Sequence, residues 1–136
     1  MTPESILLVQ QSFRWLLPEA EAAGAAFLDQ LEREAPGVAR LLPSQRRRLV
    51  AAFAFTIRSL DDFETMRPAL QAAGSRARAL GLGTEDYERF GAILLMTMEQ
   101  FLGRAWNTHL AAAWAEIWQA LSAVMQTAAP EDRAAA

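Results

Sequence analysis

Apolar residues recur at spacings of three and four along almost the whole of this chain, and no stretch alternates strictly enough to serve as a strand. A period near 3.6 suits helices that each turn one face to a shared core, so the pattern predicts an all-α fold. Gly, Pro, Ser and Thr fall between the apolar runs and mark where each helix starts and stops. The chain has 136 residues and shows no linker or internal repeat. That length can bury one core, so a single domain is expected over 1–127, with a frayed, Ala-rich tail over 128–136.

The punctuation divides the chain as follows. Thr2 and Pro3 open a first helix with the stripe Ile6, Val9, Phe13 and Leu16, interrupted at Pro18. A second, from about Pro18, carries Ala22, Ala26, Leu28 and Leu31 to the break at Ala35-Pro36-Gly37, and a short turn through Val38, Leu41 and Leu42 follows. Ser44 is the expected cap of a helix whose face is Leu49, Ala52, Phe53, Thr56 and Leu60. Met66, Leu70, Ala73, Ala77 and Leu80 form the next stripe, closed by Gly81 and Gly83. Thr84 is read as the cap of a long helix with Tyr87, Phe90, Leu94, Met98 and Phe101 inward. After Gly103 the last helix shows Leu110, Trp114, Ile117, Leu121 and Val124.

Composition removes several functions. There is no cysteine and a single histidine, His109, so no disulfide, thiolate centre or zinc or di-iron site can be built from this chain's side chains. A net charge of -3 and a pI near 5.2 lack the cationic surplus that nucleic acid or an anionic membrane requires. The longest apolar stretches, around 51–57 and 90–98, fall short of the roughly 20 residues of a membrane span. The opening Met1-Thr2-Pro3-Glu4-Ser5 does not read as a signal peptide, so a cytoplasmic location is expected. No serine-histidine-acid set, paired-carboxylate pocket or phosphate-cradling glycine loop is apparent, and a non-enzymatic role is expected.

In order, these segments resemble the bacterial single-domain globins and the globin part of flavohaemoglobins. Phe27 to Leu31 with Ala35-Pro36-Gly37-Val38 looks like that family's second helix and its exit. Residues 45–62, QRRRLVAAFAFTIRSLDD, resemble the distal-side helix, with Gln45 where the distal glutamine usually stands. Pro68-Ala69-Leu70 and Gly74 keep an ungapped register through the proximal helix to Tyr87, and 112–124, AAWAEIWQALSAV, is similar to the last helix. The resemblance implies a globin fold of about six to eight helices.

It also implies a pocket formed by Leu28, Leu42, Gln45, Leu49, Phe53, Ala73, Ala77 and Tyr87. In that register Ala77 stands where the family's histidine binds haem iron, and His109 lies far outside it. Leu28 replaces the common distal tyrosine, and Leu42 the phenylalanine that wedges the haem. Thr127 and Ala129 stand where a glutamate often orients the proximal histidine. Haem in a globin is held by apolar contacts plus one axial bond, which alanine cannot supply. No cofactor is therefore the first expectation, with haem as the alternative that the family implies.

Phe53 is expected to fill the vacated space and Phe55 to pack in ordinary core. Small Ala73 and Ala77 would let their helix approach the distal one, closing or narrowing the pocket. Met66, Met96 and Met98 are read as core filler rather than soft iron ligands, and Tyr87 as packed with its hydroxyl on a backbone carbonyl. Arg46, Arg47 and Arg48 occupy the positive end of a helix, where acids are preferred. They are either a solvated face near Glu32, Glu34 or Asp61 or, with Arg76 and Arg78, an anion site at the pocket mouth. Trp118, one turn beyond Trp114, either packs inside or opens a homodimer contact through the last two helices. The functional expectation is a haem-free globin serving as a ligand-sensing or protein-interaction module for a small apolar or anionic ligand. Its alternatives are a globin binding oxygen or nitric oxide through an unusual ligand or labile haem, and a peroxidase-like enzyme with loosely held haem.

Overall fold

The computed structural model describes residues 1–128. Among them are seven α-helices: α1 Pro3–Leu16, α2 Ala20–Glu34, α3 Pro36–Ala39, α4 Arg46–Arg58, α5 Phe63–Ala79, α6 Thr84–Leu102 and α7 Thr108–Gln126. Short 3-10 turns, Leu17–Glu19, Ser59–Asp62 and Gly103–Ala105, join three of the pairs, and no strand occurs among the described residues. No helix there is long and apolar enough to cross a membrane.

Local chemistry explains most ends. The Thr2 hydroxyl accepts from the Ser5 N–H to cap α1, with Pro3 just inside, where its missing N–H costs nothing. The Asn107 side chain caps α7 by accepting from Leu110 N–H. Two expected caps are displaced by one residue. Gln45, not Ser44, holds the N-cap position of α4 without a side-chain bond, because the chain stays extended through Gln45. Gly83, not Thr84, precedes α6, where the Asp86 carboxylate accepts the Gly83 N–H and the Thr84 hydroxyl turns to Gln126.

The α2 stripe also differs from expectation: Ala20, Ala23, Phe27, Leu28 and Leu31 are buried while Ala22 is exposed. An alanine-rich run carries apolar residues on every face, so period alone leaves its rotation open. Phe55 and Leu80 are 58% and 54% exposed, not core. Thr127 is the C-cap of α7, and Ala128, the first residue of the expected tail, is buried with its N–H reaching the Met125 carbonyl. The remainder of the expected tail, with Ala129, lies outside the described residues.

α7 packs against α1, α5 and α6, and α2 against α4 and α6, enclosing one apolar core. Gly74 lets α5 reach α7: a Cβ there would run into the Met125 backbone. The core also holds a polar strut, in which Trp114 Nε1–H donates to Ser12 Oγ at 2.9 Å while the Ser12 hydroxyl donates to its own helix's carbonyls. Both polar groups are thereby satisfied, as burial requires.

Midway along α7 the Glu116 carboxylate accepts from Thr2 N–H at 2.8 Å and Ser5 Oγ at 2.9 Å. These bonds, the Thr2 backbone first, hold Glu116 below the usual carboxylate range. A depressed folded-state pKa contributes stability above the unfolded pKa, and that contribution is lost as pH falls through the folded one. Amide protection factors across the first turn of α1, with the intrinsic exchange rate at each pH divided out, are therefore expected to fall as pH drops through the carboxylate range, and Glu116→Gln should blunt that dependence. Equal acid profiles for the two proteins would rule out the anchor.

Candidate functional site

The wall of the site begins with α4 and α5, which make no extensive contact with each other. The space between them is closed from behind by α6 and α7. It comprises two adjoining apolar lobes of about 170 and 130 Å³. Leu42, Phe90, Trp118 and Met125 border both lobes and so divide them. The expected approach of α4 and α5 has not closed the pocket. Ala73 and Ala77 supply little volume, but Gly74 has already committed α5 to α7, which holds it away from α4.

Six of the eight residues expected at the pocket border these lobes. Leu42, Leu49 and Phe53 line the larger one; Leu42, Ala73, Ala77 and Tyr87 line the smaller. Ala77 is 2% exposed and stands on the α5 wall. Leu28 is buried in the core without bordering either lobe, and Gln45 is solvent-exposed at the N-cap of α4. No distal hydrogen-bond donor is thus supplied by Gln45. Phe53 borders the expected space, packed on Phe27 and Phe90, and part of that space stays open beside it. Phe53 borders a third, much smaller space of about 40 Å³ as well as the larger lobe, forming a partition between them.

An aromatic row makes up the back of the cavity. Phe27 meets Phe53 and Phe90 edge-on at 5.6 and 5.2 Å, and Phe90 stacks on Trp118 at 4.6 Å. Trp118 is seated by Gly91, where a Cβ would collide with the indole, and its Nε1–H donates to the Tyr87 carbonyl at 2.9 Å. Trp114 is thereby part of the core, whereas Trp118 borders the cavity on one side and, on the other, the outer groove between the last two helices that Ala92, Leu95 and Ala123 also line. Phe90, Trp118 and Met125 were not singled out for the pocket from sequence. Met125 extends the Ile117 and Leu121 stripe by one turn, a signal that was present.

Polar groups cluster only at the smaller lobe, which Arg76, Asp86 and Tyr87 also line. Tyr87 uses its backbone carbonyl, not its hydroxyl, for hydrogen bonding; the hydroxyl has no partner among the described residues. Burial, opposed by the nearby Arg78 charge and reinforced by Asp86, holds its pKa above the usual phenol value. Arg78 donates to the Gln126 carbonyl, while Arg46, Arg47 and Arg48 are exposed and border neither lobe. None of these three is paired with Glu32, Glu34 or Asp61 among the described residues. Of the five arginines, the structure brings only Arg76 to the cavity.

The fit of haem can be tested on these residues. The cavity lining has no histidine, and His109 is exposed in the first turn of α7. Met125 and Tyr87 are the lining side chains with a sulfur or phenolic donor, and Tyr87 is held protonated, which opposes phenolate ligation. Each lobe is smaller than the roughly 300 to 1,000 Å³ usual for drug-sized ligand sites, and four side chains stand between them. Histidine-ligated haem does not fit this arrangement. No group of three or more His, Cys, Asp or Glu side chains could hold a metal ion among the described residues.

Comparison with known proteins places this arrangement. The globin domain of HGbRL in its closed form, known from a crystal structure, is 26% identical over 93% of this chain and 94% of that one, with a TM-score of 0.43. No curated protein matches the sequence. The globin family profile matches residues 38–125, well over half of the chain and including both walls of the cavity. The protein belongs to the globin family.

Proposed function

We propose that this globin, a divergent member of the bacterial single-domain and flavohaemoglobin branch, dispenses with the histidine–haem bond. In this reading it uses the former haem space to sense a small, largely apolar ligand with an anionic end. The observation that carries it is Ala77 on the wall of an apolar cavity that persists without an axial ligand. Apolar surface bordering such a space gains about 25 cal/mol per Å² when a ligand covers it. Arg76 and the Tyr87 hydroxyl, which has no partner among the described residues, offer the anionic end a cation and a donor, while Asp86, the carboxylate of the same lobe, accepts the Gly83 N–H. A module of this kind needs no chemistry of its own, in keeping with a non-enzymatic role. The second reading, haem held labile by a soft ligand, is favoured by one observation only, the Met125 side chain between the lobes.

Decanoate and 1-decanol are suitable probes, with Trp118 emission as the reporter because its indole borders both lobes. Both should change that emission saturably, and Arg76→Gln should weaken decanoate alone. Arg76 is exposed, so the loss is expected to stay within about fivefold, ~1 kcal/mol. Protein made with ample haem should show no stoichiometric Soret band. Such a band with a methionine signature, or the absence of any response to both probes, would overturn the proposal.

A further inference from the structure

Away from the cavity, α1 and α4 leave a groove of about 500 Å³, bordered by Gln10, Arg14 and Leu17 on one side and Ala54, Arg58 and Asp61 on the other. Its floor is Phe13 and Ile57, which are buried. Leu7, Gln10, Arg14 and Leu17 follow at spacings of three and four, so they form one stripe along α1 and the turn that continues it. On that stripe Leu7 and Leu17 are 52% and 48% exposed, and Phe55, one turn before Arg58, is 58% exposed. Leu17 on the groove's border, with Leu7 and Phe55 one turn further along the two helices, leaves large apolar side chains in water beside a concave two-helix surface, the pattern of an unfilled docking site.

The charges at this groove are not balanced internally. Asp61, the carboxylate on its border, accepts from the Gln10 amide, which also donates to the Ile57 carbonyl. Arg14 and Arg58 have no ion pair or hydrogen bond among the described residues. Two guanidinium groups against one carboxylate leave the groove border with a net positive charge, carried on both banks. Arginine beside exposed apolar and aromatic residues is the composition that protein interfaces favour.

We propose that this groove docks an acidic amphipathic helix of a partner protein, its apolar stripe lying over Phe13, Leu17 and Ile57 and its flanking carboxylates meeting Arg14 and Arg58. A helix suits a groove between two helices, because side chains at three- and four-residue spacing fill it along its length. A second copy of this chain is less well matched. The acidic outward stripe of α6, Glu88, Ala92, Met96 and Glu99, offers one large apolar residue. An anionic membrane is less well matched, because a concave groove with buried Phe13 and Ile57 at its floor receives a protruding row of side chains and not a flat surface. The groove shares only the Ile57 side chain with the larger lobe of the cavity, and none of its charged residues borders either lobe.

The probe is a synthetic helical peptide of about five turns, with a Leu and Phe stripe flanked by Glu, compared with its Lys-flanked counterpart. Fluorescence anisotropy should show the Glu peptide binding at least about tenfold tighter. Amide shift changes should be confined to residues 7–17 and 54–61. The Arg14→Glu, Arg58→Glu double variant should reverse the preference while keeping the parent's melting curve and its decanoate response. The proposal is overturned by equal affinity for the two peptides, by no saturable binding, or by shifts elsewhere. A dimer that sediments intact and is lost in Leu17→Glu would assign the groove to a second copy instead, and binding to phosphatidylserine vesicles but not peptide would assign it to lipid.

Discussion

Replacing Trp114 with alanine is expected to lower the unfolding free energy by about 3 to 5 kcal/mol, the usual cost of emptying a buried aromatic site. Trp114 is 3% exposed and borders both the larger lobe and the small space beside Phe53, so its removal would merge the two. Its loss leaves no stranded donor behind, because the Ser12 hydroxyl still donates to the Leu8 and Val9 carbonyls. The cost is therefore one of packing. Trp114→Phe keeps most of the ring and forfeits the Ser12 bond, so about 1 to 2 kcal/mol is expected for it. Urea denaturation followed by circular dichroism decides the matter. If the alanine variant lost less than the phenylalanine variant, α1 and α7 would not be joined through this residue.

Ala77→His is expected to convert the protein into one that captures added haem at least about tenfold more tightly than the parent, ~1.4 kcal/mol. The gain would come from an axial nitrogen on the wall where Ala77 now borders the smaller lobe. Crowding opposes it, since a larger side chain at a 2% exposed position costs about 1 to 3 kcal/mol of stability. Leu42 is the economical place to make room. It borders both lobes and is only half-buried, so Leu42→Ala opens the partition at less cost than truncating Phe90. Haem titration of the parent, both single variants and the double variant, read in the Soret region, should rank the double variant tightest with a histidine-type spectrum. A folded Ala77→His protein no better than the parent would mean that its side chain does not project into the cavity.

The resemblance places eight residues at the candidate site, and six of them border the lobes. Ala73, Ala77 and Tyr87, carried by one ungapped run from α5 into α6, line the smaller lobe, and Leu42, Leu49 and Phe53 line the larger. Gln45 and Leu28 rest on the same resemblance and fall outside the cavity. For Gln45, the α4 N-terminus leaves its side chain in solvent.

What the sequence determined by itself are the interactions that reach no further than one helical turn. Period, proline and glycine breaks, and the Thr2 cap set the helical class, the element order and most helix ends. Tertiary structure decided which side of each helix faces inward and what remains of the space between helices. Phe53 and Phe55 are two residues apart on α4 and cannot both point to the core; packing against Phe27 and Phe90 selected Phe53 and left Phe55 in water. Trp114 and Trp118 turned inward because Ser12 and the Tyr87 carbonyl, 102 and 31 positions away, receive their indole N–H groups. Pairings across such separations depend on how whole helices pack, and a local pattern carries no information about them.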